Sequence, residues 1–153
     1  MVRAKSRDID AMALALAEAR AAAQRGEVPV GAVVTRHGVV LARAGNRTLE
    51  RRDPTAHAEM LALREACAAL GSERLVDCDL HVTLEPCPMC AAAISFSRIR
   101  RLYFGASDPK GGAVENGVRL YASPTCHHAP EVYGGLRESE AGEMLREFFR
   151  RRR

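Results

Sequence analysis

Apolar residues near the start of the chain recur at helical spacing. Ile9, Met12, Ala13, Leu16, Ala19 and Ala23 share one face, and Gly26 follows as a stop. The pattern then changes period. Val30–Thr35 and Val39–Ala44 are β-rich runs, and Arg36-His37-Gly38 between them reads as a hairpin turn. Asp53-Pro54-Thr55 predicts the start of a second helix, combining a capping side chain with a proline whose φ is preset. Met60, Leu61 and Leu63 lie behind it, and the helix is expected to run to about Leu70 and stop at Gly71. Leu80–Leu84 predicts a strand, Pro86 opens a third helix through about Ser97, and Leu102–Gly105 predicts another strand. Ser107–Gly117, rich in glycine and polar residues, reads as a loop. A last helix over Ser139–Arg150 carries Met144, Leu145, Phe148 and Phe149. Helix, hairpin, helix, strand, helix, strand, loop, helix is the order of an α/β sheet covered by helices.

Length and composition narrow this picture. At 153 residues the chain fits a single domain, 1–153, with a basic C-terminal tail at about 150–153. An apolar share of 47% is enough for a core, but no apolar run approaches the ~20 residues of a membrane span. Met1–Ala23 has the basic-then-apolar order of a secretion signal; Glu18 and Arg20 interrupt it, and an amphipathic helix is the better reading. Five cysteines, an odd number, suit a reducing compartment, so a cytoplasmic location and no membrane partner are expected. The net charge of +4 is mild, but its distribution is not even. Arg146 and Arg150–Arg153 form one group; Arg98, Arg100 and Arg101 form another. Such clustering suits a surface that meets phosphates, with a solvated tail as the alternative for the last four.

The chemistry is concentrated in two short segments. His57-Ala58-Glu59 is followed, 27 positions after Glu59, by Pro86-Cys87-Pro88-Met89-Cys90. One imidazole and two thiols are three zinc ligands, and a zinc site with three protein ligands keeps its fourth position open for water. Glu59 then supplies the acid/base that such a water needs. The pattern H-x-E followed by P-C-x-x-C is the signature of zinc-dependent nucleobase deaminases. Two plainer readings compete. A redox dithiol would leave His57 and Glu59 without a task, and a zinc ribbon needs a second C-x-x-C, which Cys67, Cys78 and Cys126 do not form. The expectation is one zinc per chain on His57, Cys87 and Cys90, with Glu59 catalytic.

Beyond those residues, several stretches carry a resemblance: Glu27-Val-Pro-Val-Gly-Ala-Val33, Asn46-Arg47, Asp53-Pro-Thr-Ala-His-Ala-Glu59, Val82-Thr-Leu-Glu-Pro-Cys87, Ser97-Arg-Ile-Arg100, Phe104–Ala113 and the Phe148-Phe149-Arg-Arg end. From about Asp10 to Arg153 the chain resembles the cytidine/deoxycytidylate deaminase superfamily and, within it, the bacterial tRNA-specific adenosine deaminases. The resemblance implies a three-layer helix–sheet–helix, cytidine deaminase-like α/β fold with a central mixed sheet of about five strands. It implies zinc-dependent hydrolysis of adenosine to inosine at the wobble position of a tRNA anticodon, of the arginine-tRNA type, by a homodimer that holds the anticodon stem-loop. It also assigns substrate-binding roles: Asn46 to the base, Val30 and Leu84 to apolar walls, Asp108 and Lys110 to the loop, and Phe149 to an exposed RNA-facing position while Phe148 packs inward. A free-base or nucleotide deaminase (cytosine, deoxycytidylate or guanine) would share every zinc residue, and a zinc-stabilised RNA-binding module without catalysis is the other alternative. Thr125-Cys-His-His-Ala-Pro130 has ligand-type side chains that could suggest a second metal, but lacks metal-spaced partners and reads as structural or surface.

Overall fold

The computed structural model describes residues 9–152. Its elements are α1 (Ala11–Gln24), β1 (Gly31–Arg36), β2 (Val39–Gly45), α2 (Thr48–Arg51), α3 (Ala58–Leu70), β3 (Cys78–Leu84), α4 (Pro88–Phe96), β4 (Arg101–Ala106), a single 3₁₀ turn (Leu120–Ala122), β5 (Glu131–Tyr133) and α5 (Glu138–Arg150). The strands form one mixed sheet in the order β2-β1-β3-β4-β5. β1 runs antiparallel to β2 and β3, whereas β3, β4 and β5 are parallel.

Alternation along the strands sorts side chains onto two faces. Ala32, Val34, Leu80, Val82, Leu102 and Phe104 pack against Ala58, Ala62 and Ala66 of α3 and Ala91 and Ile94 of α4. Val33 and Ala106, with Tyr103 and Leu84, meet Met12, Ala15 and Leu16 of α1 and Ala141 of α5 on the other side. The result is the expected helix–sheet–helix sandwich. Helix α1 lies so close to β1 that a Cβ at Gly31 would stand 1.9 Å from the Ala15 carbonyl oxygen, which is why a glycine begins this strand.

Four local features depart from the sequence expectation. The helix expected from Asp53 begins at Ala58 instead. The Asp53 side chain folds back to accept hydrogen bonds from the Thr55 N–H (2.8 Å) and hydroxyl (2.7 Å), making a turn rather than a cap. A four-residue helix, α2, occupies a stretch read as connection. Edge strand β5 has only three residues, of which Glu131 and Tyr133 are exposed, so it carries no hydrophobic alternation to read. Pro88, rather than Pro86, takes the first turn of α4, with Cys87 as its N-cap.

Candidate active site

The starts of α3 and α4 meet beyond the C-terminal end of β3, and this meeting assembles the predicted metal ligands. His57 is the extended N-cap residue of α3 (φ −72°, ψ 152°), which frees its ring from the helix flank. Glu59 follows in the first turn. Cys87 caps α4, and Cys90 lies three residues on, on the same side. Cys87 Sγ and Cys90 Sγ lie 3.7 and 3.6 Å from His57 Nδ1. Tetrahedral zinc, with Zn–S of about 2.3 Å and Zn–N of about 2.0–2.1 Å, requires N···S separations of about 3.6 Å. The three side chains therefore fit one zinc ion, and among the described residues theirs is the group placed to hold a metal.

Electrostatics favour the same use. Interaction with the Cys90 side chain, and then with His57, pulls the Cys87 thiol down to about 4 despite burial. Cys90 is pushed up by sharing that proton and by burial, and His57 is raised by Cys87. One thiolate is thus available, and metal binding displaces the protons that remain. Two helix N-termini add partial positive charge where anionic sulfur collects. Glu59 is 4% exposed, and burial pushes its carboxyl up to about 7, near the working range of an acid/base group.

A pocket of about 260 Å³ opens onto His57, Glu59 and Cys87. Asn46, Val30, Leu84 and Asp108, all singled out from the sequence, line it. Lys110 is exposed and lies outside the lining, as does Phe149. Phe149 is 50% exposed at the end of α5, whereas Phe148 is 8% exposed and meets it edge-on. Asn46 is more than a turn residue. Its Oδ1 accepts from the Ala58 N–H (2.8 Å), capping α3 from a distant strand end, so its amide nitrogen is the group left to donate into the pocket.

Val28, Thr48, Gly111 and Glu85 also line the pocket and were not singled out from the sequence. Glu27 and Glu85 are each 2% exposed. Glu27 accepts from Leu49 N–H (3.2 Å), Glu50 N–H (2.9 Å) and the Thr48 hydroxyl (3.4 Å), which holds α2 beside the pocket. Burial opposes ionisation of Glu85, but hydrogen bonds from Asp108, Asn116 and Glu115 outweigh it and hold the carboxyl below its usual range. The only sequence signal for either was an acid placed beside an apolar strand.

Several arginines of both groups are engaged within the chain. Arg100 makes a forked contact with Asp79 (3.1 Å each), and Arg101 meets Glu131 at 3.3 Å. Arg150 and Arg151 both contact Glu147, and Arg146 contacts Glu143. Arg152 stacks over Phe148 at 3.9 Å, while Arg153 lies outside the described residues. Cys126 contacts the His128 carbonyl and Ser95, and His128 Nε2 lies 2.7 Å from the Ile99 carbonyl.

Comparison with known proteins agrees with this geometry. Residues 5–106 match the family described as the cytidine and deoxycytidylate deaminase zinc-binding region. The chain is 67% identical over 142 residues, 93% of both sequences, to the tRNA-specific adenosine deaminase of Agrobacterium fabrum. A structure from a study of A-to-I editing by tRNA:A34 deaminases at the wobble position superposes with a TM-score of 0.87 at 67% identity, covering 88% of this chain and 98% of that one. Guanine deaminase from Nitrosomonas europaea superposes at 0.74 with 28% identity, over 90% of this chain and 82% of the other.

Proposed function

This chain belongs to the cytidine and deoxycytidylate deaminase zinc-binding family, and from that premise we propose that it converts adenosine to inosine at the wobble position of a tRNA anticodon. One observation carries the chemistry: Glu59 is buried at the pocket beside three zinc ligands without being one of them. A bound zinc ion, held by His57, Cys87 and Cys90, supplies the Lewis acidity that makes water nucleophilic near neutral pH. Glu59 takes a proton from the attacking water and gives it to the ring nitrogen beside C6, then takes the remaining proton of the hydroxyl added at C6 and gives it to the departing amine as the C6–N bond breaks. Water is consumed and ammonia released. The Asn46 amide donates to an acceptor on the base edge, and Val30 and Leu84 exclude solvent around the ring. Asp108 and Lys110, on the loop at the pocket mouth, and exposed Phe149 meet the flanking RNA. Anticodon bases are already unpaired, which lowers the cost of bringing one into the pocket.

The choice of substrate rests on the 67% identity to a tRNA-specific enzyme against 28% to a guanine deaminase. A non-catalytic zinc module would require a fourth protein ligand and would leave Glu59 idle. The reading includes a homodimer: Phe96 is 70% exposed at the end of α4, beside a groove of about 270 Å³ containing Ala92, Leu120 and Cys126 that a second copy would cover. No described helix is long and apolar enough to cross a membrane; the reading includes a cytoplasmic location, which a tRNA substrate supports. The test is incubation of purified, zinc-loaded protein with an arginine-tRNA anticodon stem-loop, with free adenosine, cytidine and guanine in parallel. Inosine from the stem-loop alone is the expected result. Guanine turnover without stem-loop turnover would move the chain to the free-base enzymes.

A further inference from the structure

Glu85 follows the last residue of β3 and precedes the Pro86-Cys87 segment, and its carboxylate is taken up by hydrogen bonds from a loop further along the chain. Its Oε1 accepts from the Asp108 N–H (2.9 Å), the Asn116 amide (2.6 Å) and the Ser107 hydroxyl (3.4 Å). Its Oε2 accepts from the backbone N–H groups of Val114 (3.1 Å), Glu115 (2.8 Å) and Asn116 (3.0 Å). Six donors saturate a carboxylate, which offers about four lone-pair directions, so Glu85 has no capacity left for a proton on substrate or water. Every donor comes from residues 107–116. That segment has little regular structure of its own, yet it carries Asp108 and Gly111 into the pocket wall.

Close packing points the same way. A Cβ at Gly112 would stand 2.5 Å from Glu85 Cδ and 2.6 Å from Oε2, so the loop passes over the carboxylate with no room for a side chain. Ala113 N–H also donates to the Pro86 carbonyl at 2.9 Å, fastening the loop one residue further along. The loop is thus gathered around one buried anion, as backbone N–H groups gather around a bound anion in a nest.

We propose that Glu85 is a positioning residue: its carboxylate holds the 107–116 loop against the pocket and so sets Asp108 and Gly111 where they meet the bound nucleotide. The proposal rests on the deaminase reading for its substrate, but not for its structural readout. It acts on binding of the RNA rather than on proton transfer, because Glu59 and the zinc ligands lie on other elements.

The test compares zinc-loaded wild type with Glu85→Gln, which keeps the shape but turns an NH₂ toward N–H donors, and with Glu85→Asp, which keeps the charge. Amide hydrogen exchange of residues 108–116 is read without substrate, and KM and kcat are read on the stem-loop. In Glu85→Gln the loop amides should exchange at least ~10-fold faster, as expected when hydrogen bonds to a charged group are lost. KM should rise by ~10-fold or more, kcat should change far less, and zinc should stay at one per chain. Glu85→Asp should restore part of the loss. Gly112→Ala, which disturbs the same contact from the loop side, should raise KM likewise, and it carries the test if Glu85→Gln does not fold. Unchanged loop exchange and KM would overturn the proposal. So would a loss of kcat alone, or a loss of zinc that accounts for the lost activity. If wild type makes no inosine, the substrate reading fails, while the exchange data still decide whether Glu85 holds the loop.

Discussion

Replacing His81 with phenylalanine should remove a large part of the protein's acid sensitivity. His81 lies on β3 with its ring stacked on Tyr103 (centroids 4.6 Å apart), which stacks in turn on Tyr133. Among the described residues its buried Nε2 has no hydrogen-bond partner. Burial pushes the imidazole down from 6.5 to about 4, with Asp79 opposing the shift only in part. The folded protein therefore keeps this ring neutral through a window in which the unfolded chain protonates it. Because the unfolded state binds more protons there, stability is complete above about 6.5, declines as pH falls toward about 4, and levels off below that. A gap of roughly 2.5 units at about 1.4 kcal/mol per unit makes the decline about 3 kcal/mol. Phenylalanine keeps the stack, has no titration, and leaves no orphaned nitrogen, so the variant should be at least as stable at neutral pH. The assay is urea unfolding of zinc-loaded wild type and His81→Phe at intervals between pH 7 and pH 4. Protonation of the metal ligands also destabilises both proteins, so the diagnostic quantity is the difference between them. It should grow by about 3 kcal/mol in favour of the variant on acidification. Parallel curves would mean that His81 is not the group that titrates.

Other expectations follow from the site. Changing Cys87 and Cys90 together to alanine should abolish zinc binding and turnover; full zinc occupancy by elemental analysis would place the ligands elsewhere. Asn46→Ala removes both the remaining pocket donor and the Ala58 cap, so it should raise KM and reduce stability by about 1 kcal/mol, whereas intact affinity would confine Asn46 to the cap. Arg150–Arg153 changed to serine should lower the salt slope of stem-loop binding, because the pairs with Glu147 are exposed and exchange readily for phosphates. An unchanged slope would mean that the tail makes no phosphate contact.

What could be read from the sequence, and what could not, divides along the range of the interactions. Helix α1, the β1–β2 hairpin and α5 were legible because period and punctuation are local properties. The three metal-ligand types were legible because zinc chemistry restricts the ligands, and the start of α4 falls close to the expected proline. The start of α3 was misplaced because Asp53 had two local uses, cap and turn, and the backbone around Ala56 and Arg47 favoured the turn. Helix α2 was missed because it is held by Glu27, more than 20 positions away. Glu85 showed nothing of its role, since its six donors converge only when the 107–116 loop has returned to the end of β3. The pairing of Arg100 with Asp79 likewise depends on strand register, Asp79 lying opposite Arg101. Arginines clustered in sequence, Arg100, Arg101, Arg150 and Arg151 among them, are thus paired with carboxylates in space.

On the proposed function, Glu59 moves the protons of a hydrolytic deamination at a wobble adenosine. Its most direct test is a reaction of zinc-loaded protein with an arginine-tRNA anticodon stem-loop in heavy-oxygen water, followed by mass analysis of each nucleoside position. Wild type should produce inosine carrying one heavy oxygen at the wobble position, with one ammonia released per inosine. Glu59→Ala, with full zinc and undiminished stem-loop affinity, should be slower by at least ~10²-fold. Near-normal turnover in Glu59→Ala, or inosine without heavy oxygen, would contradict the account.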